Sequence, residues 1–159
     1  MKRFTVLVIL LAAIPVALAQ VAYLPNPKLT PGAFNPAITQ ANMKDTICNP
    51  AWSTKSVRPP SNYTNALKIK QIAQYGYVDK DPTHYEQDHL GPLLLGGEPY
   101  DPRNEWPQPR SGAWTAVQKD KLEVRAHKLV CSGKVPLRQM QKEIATNWVA
   151  AYKKYVGAK

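Results

Sequence analysis

Apolar residues in the last third of the chain recur at helical spacing. Leu137, Met140, Ile144, Trp148, Ala151 and Tyr155 fall three or four apart. That stripe predicts an amphipathic helix beginning near Pro136, whose fixed φ suits a first turn. It reads as core rather than as a ligand box; the lysines on its other face leave membrane-surface binding as a lesser alternative. Upstream, Leu122, Ala126, Leu129 and Val130 make one face of a second helix, predicted over 111–131 with Ser111 as its cap and Gly133 as its stop. A third helix is predicted over 62–75, capped by Ser61 or Asn62 and ended by Gly76. Asn62-Tyr63-Thr64 also matches a glycosylation acceptor, but a helix start accounts better for Asn62.

Elsewhere the periodicity fails. Seven prolines (Pro25, Pro27, Pro31, Pro36, Pro50, Pro59 and Pro60) make residues 20–60 an extended or irregular arm, with a short helical turn at 39–46. Residues 83–107 read as short strands and turns, broken by Gly96-Gly97, Pro99, Pro102 and Pro107. The N-terminus carries Met1-Lys2-Arg3, an apolar run over 4–16 and Ala17-Leu18-Ala19. A basic start, a short apolar stretch and a small-x-small site describe a signal peptide over 1–19. The alternative is an uncleaved anchor; Pro15 near the end of the run favours cleavage. No later stretch reaches membrane length, so no spanning segment is expected after processing, and the expected location is periplasmic or secreted.

Cleavage would leave 140 of the 159 residues and lower the net charge from +10 to +8. That length suits one domain with a real core. The charge favours polyanionic partners, whether nucleic acid, anionic lipid or cell-wall polymer. Cys48 and Cys131, two cysteines in an exported chain, predict a disulfide pinning the arm to the domain. Two free buried thiols are the alternative, and the spacing with three scattered histidines makes no zinc finger.

The chemistry concentrates in Glu86-Gln87-Asp88-His89-Leu90-Gly91-Pro92-Leu93-Leu94-Leu95-Gly96-Gly97, followed by Asp101-Pro102-Arg103-Asn104-Glu105-Trp106-Pro107. The order Asp-His, Pro-Leu, Gly-Gly and Asn-x-x-Pro resembles the first two parts of the ββα-metal motif of HNH, or His-Me finger, endonucleases. The chain as a whole resembles a group of exported bacterial proteins that share this motif, a Lys-Asp helix and two cysteines. The resemblance implies an α+β, mostly α fold, with a small ββα-metal finger core flanked by helices over 61–159.

It also implies roles. Phosphodiester hydrolysis needs an activated water, and a neutral imidazole can take its proton. His89 would be that base, Asp88 a metal ligand, and Asn104 would hold the His89 segment by side-chain hydrogen bonds. The metal would be divalent, most simply Mg²⁺ with carboxylate and water ligands, with Mn²⁺ or Zn²⁺ as alternatives. The third part of the motif fits less well. Thr115 stands where a second ligand is expected, so Asp120 or waters would serve, and Lys119 would contact phosphate. Gly91 stands where a β-branched residue is usual. Glu86 reads either as a surface charge or as a carboxylate orienting a ligand. Trp106 and Trp114 read as core, and His84 and His127 as surface residues.

The function expected is therefore that of an exported metal-dependent nuclease, acting on DNA or RNA with low sequence specificity. A basic binding protein on the same fold, without the chemistry, is the competing reading. An unrelated hydrolase lacks support: the chain contains no Gly-x-Ser-x-Gly elbow, no His-Glu-x-x-His pair and no phosphate-cradling glycine loop.

Overall fold

The computed structural model describes residues 23–157; the predicted signal peptide over 1–19 lies outside them. The fold is α+β and mostly α. Its elements are α1 (Ser61–Gln74), β1 (Tyr85–His89), β2 (Glu105–Pro109), α2 (Ala116–Cys131) and α3 (Leu137–Tyr155). β1 and β2 form a two-stranded antiparallel ribbon, with Asp88 opposite Trp106 and His89 opposite Glu105. Pro107 lies in the middle of β2 and Pro109 ends it. Alternate residues of a strand send their nitrogens to the same edge, and both prolines fit the edge where no ladder donor is needed.

The helix boundaries follow local chemistry. α1 starts one residue earlier than predicted, because Pro60, in an extended conformation, takes the cap position in place of Ser61 or Asn62. Gly76, at φ +67, ends it, and the Tyr77 N–H returns to the Ile72 carbonyl. α2 starts at Ala116 rather than at Ser111. Gly112 at φ +113 breaks any helix there, and Thr115 closes a capping arrangement in which the Gln118 side chain accepts from the Thr115 N–H at 2.9 Å. Thr115 is thus a helix cap, which accounts for it at that position. Within α3 the helix breaks at Asn147, whose Oδ1 caps the following turn through the Ala150 N–H at 3.0 Å.

The core lies between α2, α3 and the inner face of the ribbon. Leu122, Ala126 and Val130 of α2 meet Leu137, Met140, Ile144 and Trp148 of α3, with Trp106, Leu90 and Leu95 beneath. Trp106 is fully buried, and Trp114 packs edge-on against Trp148 and Tyr152.

The proline-rich arm is laid into the loop that joins the strands. Gly32 N–H donates to the Arg103 carbonyl at 3.0 Å, Asn35 N–H to Gly96 at 2.9 Å, and Glu98 N–H returns to Ala33 at 2.9 Å. Further along the arm, Cys48 is bonded to Cys131 at the end of α2, with Cα atoms 5.5 Å apart. This crosslink spans 83 positions. Removing it with Cys48→Ser/Cys131→Ser should lower the unfolding free energy by about 2–5 kcal/mol, read by denaturant titration.

Glu105 is fully buried, with the Gln87 side chain beside its carboxylate and no cation paired to it among the described residues. Burial pushes its pKa from the ordinary 4.5 up to about 7. Folding therefore takes up a proton between those two values. The stability this group contributes is complete below the unfolded pKa and is lost as pH rises through about 7. The melting temperature should fall over that interval, and Glu105→Gln should remove the Glu105 share of the fall.

Candidate active site

His89 ends β1 and is buried. Its Nε2 lies 3.1 Å from the Pro99 carbonyl oxygen. A carbonyl can only accept, so Nε2 carries the proton and Nδ1 is the basic nitrogen. Burial lowers the pKa of the ring, with the Pro99 carbonyl and Asp88 acting against it. The imidazole is therefore neutral at pH 7.

Neighbouring strand residues point to opposite faces, yet Asp88 and His89 border one cavity. It holds about 300 Å³ and is lined by Arg58, Glu86, Asp88, His89, Asp120 and Glu123, with Thr54, Leu93, Leu94 and Val124. The end of the ribbon makes this possible, since His89 is the last strand residue and the chain turns at Gly91-Pro92. Glu86 is paired with Arg110 at 2.9 Å. Burial raises the pKa of Glu86, Asp120 and Glu123, and repulsion from Asp88 adds to each. A second groove, of about 670 Å³ along α3, shares no residue with this cavity. It offers no histidine, and its carboxylate, Glu143, is already paired with Lys154.

Lys119 corrects the expectation of a phosphate contact. It is completely buried, and its ammonium is held by the His89 carbonyl at 2.6 Å, by Asp88 Oδ2 at 2.8 Å and by Glu123. Burial alone would lower its pKa; Asp88 and Glu123 outweigh that and drive it upward. Gln108, with its amide oriented so that both ends are satisfied, donates to the same Asp88 oxygen at 3.0 Å and accepts from the Ala116 N–H. Asp88 Oδ2 is thus occupied from inside, and Oδ1 is the oxygen left for the cavity.

Asn104 is fully buried and uses its whole amide on the loop. Oδ1 accepts from Gly91 N–H at 2.8 Å and from Ala33 N–H at 3.2 Å. Nδ2 donates to the carbonyls of Gly91 and Glu98, each at 3.0 Å. Glu98 precedes Pro99, whose carbonyl orients His89, so Asn104 positions the His89 ring through the loop. Gly91 has no room for a side chain: a Cβ there would lie 2.7 Å from the Phe34 ring and 2.9 Å from Asn104 Oδ1. Steric need thus accounts for glycine at this position.

Two residues of this region, Glu123 and Arg58, carry no expectation from the sequence. Glu123 stands one helical turn after Lys119, and the spacing of Ala116, Lys119, Glu123 and Ala126 places both charges on the buried face. Arg58 is an exposed cation at the cavity rim, brought there by the arm. His127 is half-buried rather than on the surface, its Nε2 2.8 Å from the Ile47 carbonyl. Exposed His84 lies beside Asp79 at 2.6 Å.

The donor chemistry of the cavity suits a hard cation, since apart from His89 its ligand atoms are carboxylate oxygens. Among the described residues, the one group with three ligand atoms within 4.8 Å of one another is Cys48, His127 and Cys131. Those two sulfurs are bonded to each other and are not thiolates. The cavity thus brings fewer than three such ligand atoms to one point. That matches Mg²⁺, which keeps several waters, better than the closed four-ligand set of structural zinc. No family model, curated protein or solved structure matches this chain.

Each buried backbone group orphaned by loss of Asn104 costs about 1–3 kcal/mol. Asn104→Ala should therefore destabilise the protein by at least about 3 kcal/mol in urea unfolding, since four such groups lose their partner.

Proposed function

We propose that this protein is an exported, metal-dependent nuclease that hydrolyses phosphodiester bonds with low sequence specificity. The observation that carries the reading is the juxtaposition of a buried, neutral His89, its Nε2 fixed on a carbonyl, with a carboxylate-lined cavity on a chain of net charge +10. His89 Nδ1 takes the proton of the attacking water. The water oxygen attacks phosphorus, and the bond to the leaving oxygen breaks. Arg58 at the rim holds a non-bridging phosphate oxygen, the part first assigned to Lys119. A divalent ion held by Asp88 and Asp120 would supply charge stabilisation at the phosphate and the leaving oxygen. Asn104 keeps the Pro99 carbonyl in place, and with it the tautomer of His89. The basic surface gathers polyanionic DNA or RNA through the backbone, which carries no sequence information. The Cys48–Cys131 disulfide and the N-terminal signal pattern support a periplasmic or secreted location.

One observation favours a second reading, a binding protein without the chemistry: the ammonium of Lys119 already neutralises Asp88. Cleavage assays separate the two. With Mg²⁺ or Mn²⁺ the mature, oxidised protein should nick plasmid or degrade RNA, EDTA should stop it, and His89→Ala should lower the rate by about 10²–10⁴-fold. Nucleic-acid binding without cleavage under any metal would select the second reading. Arg58→Ala should raise KM and reduce the slope of log affinity against log salt on duplex DNA by about 0.9, the loss of one phosphate contact.

A further inference from the structure

Lys119 has more to do in this site than fill the core. An ammonium has three N–H donors, and here all three meet acceptors: the His89 carbonyl, Asp88 Oδ2 and a Glu123 carboxylate oxygen. The base, one proposed metal ligand and a third carboxylate thus share a single anchor. We propose that the Lys119 ammonium is the resident cation of the pocket. It takes the inner position between Asp88 and Glu123, and a divalent ion enters beside it, at the outer oxygen of Asp88, rather than in its place. This rests on the metal-dependent reading above.

Two arguments support it. The first is size. The His89 and Asp88 oxygens stand 2.6 and 2.8 Å from the nitrogen. Mg²⁺ demands oxygens at about 2.0–2.1 Å in near-octahedral array. Replacing the ammonium would require these oxygens to close in by several tenths of an ångström, against a packed helix and a strand end that resist such movement. The second is charge. Glu86, Asp88, Asp120 and Glu123 face the cations Arg58, Arg110 and Lys119. When a divalent ion draws all four carboxylates into the ionised form, they and the three cations sum to one negative charge. A single divalent ion turns that into one positive charge, which matches the single negative charge of a phosphodiester. Without Lys119, one divalent ion would leave the region neutral. Lys119 therefore sets the stoichiometry of the site at one added ion, and Glu123 is its counter-ion rather than a ligand. Lys119 is a positioning residue: it touches neither water nor substrate.

The test uses the native, oxidised protein labelled with ¹⁵N-lysine. A buried, saturated ammonium gives a slowly exchanging resonance, assigned by its loss in Lys119→Arg. It should persist, shifted, at saturating Mg²⁺. Its disappearance when Mg²⁺ binds would mean that the ion displaces Lys119, and would overturn the proposal alone. Absence of any divalent binding, read by the free Mn²⁺ signal in electron paramagnetic resonance, would overturn both the proposal and the metal reading beneath it. A second arm measures Mn²⁺ affinity in Lys119→Ala. Removing the ammonium uncovers Asp88 and Glu123, so affinity should rise by roughly tenfold or more, a modest yield for one nearby charge. Adding Glu123→Gln should cancel the gain. A folded Lys119→Ala with unchanged or weaker Mn²⁺ binding would show a purely structural lysine. If that variant fails to fold by circular dichroism, the ammonium titration on the native chain decides alone.

Discussion

The buried ammonium of Lys119 is the constraint on which the rest of the arrangement hangs. Taking a charge out of water costs several kcal/mol unless its partners meet it with good geometry. Here the partners come from two elements: Asp88 and the His89 carbonyl from β1, and Glu123 from the next turn of α2. The ion group therefore fixes how α2 sits against the end of the ribbon. Gln108 of β2 donates to Asp88 and accepts from the first N–H of α2, so both strands and the helix start are joined through one amide. Helix packing alone would leave this register free to slide, because apolar contacts have no direction.

A second polar cluster does the same for the loop. Asn104 satisfies four backbone groups in Ala33, Gly91 and Glu98, and thereby binds the arm, the turn after His89 and the approach to Pro99 into one unit. The glycines follow from this crowding. At Gly97 an added Cβ would fall 1.8 Å from the Gly91 carbonyl oxygen, a position no other residue could take. The arm is thus part of the candidate site, which is why a residue as remote in sequence as Arg58 reaches the cavity rim. The disulfide closes the far end of the same arm onto α2.

Much of this was legible in the chain. The stripe from Leu137 to Ala151 and the face from Leu122 to Val130 are periodic enough to place α2 and α3, and the even cysteine count pointed to the crosslink. The start of α2 was misplaced, because Ser111 and Thr115 are both fair caps and only the positive φ of Gly112 separates them. Lys119 misled for a plain reason. A lysine beside an aspartate on a helix usually faces water, and its burial depends on carboxylates that tertiary folding brings to it. The available signal was its spacing from Ala116, Glu123 and Ala126, which puts it on the apolar face. Arg58 left no local signal at all, since its place at the rim is set by the path of an irregular arm.

The central claim is that His89 is a neutral base whose protonated nitrogen is fixed away from the reacting water. Its most direct test is the ¹⁵N spectrum of the imidazole, followed through a pH titration of the folded protein. The account predicts the Nε2–H tautomer at pH 7, with a lone pair on Nδ1 and a midpoint below the ordinary 6.5. A ring protonated on both nitrogens at pH 7, or a proton resident on Nδ1, would contradict it.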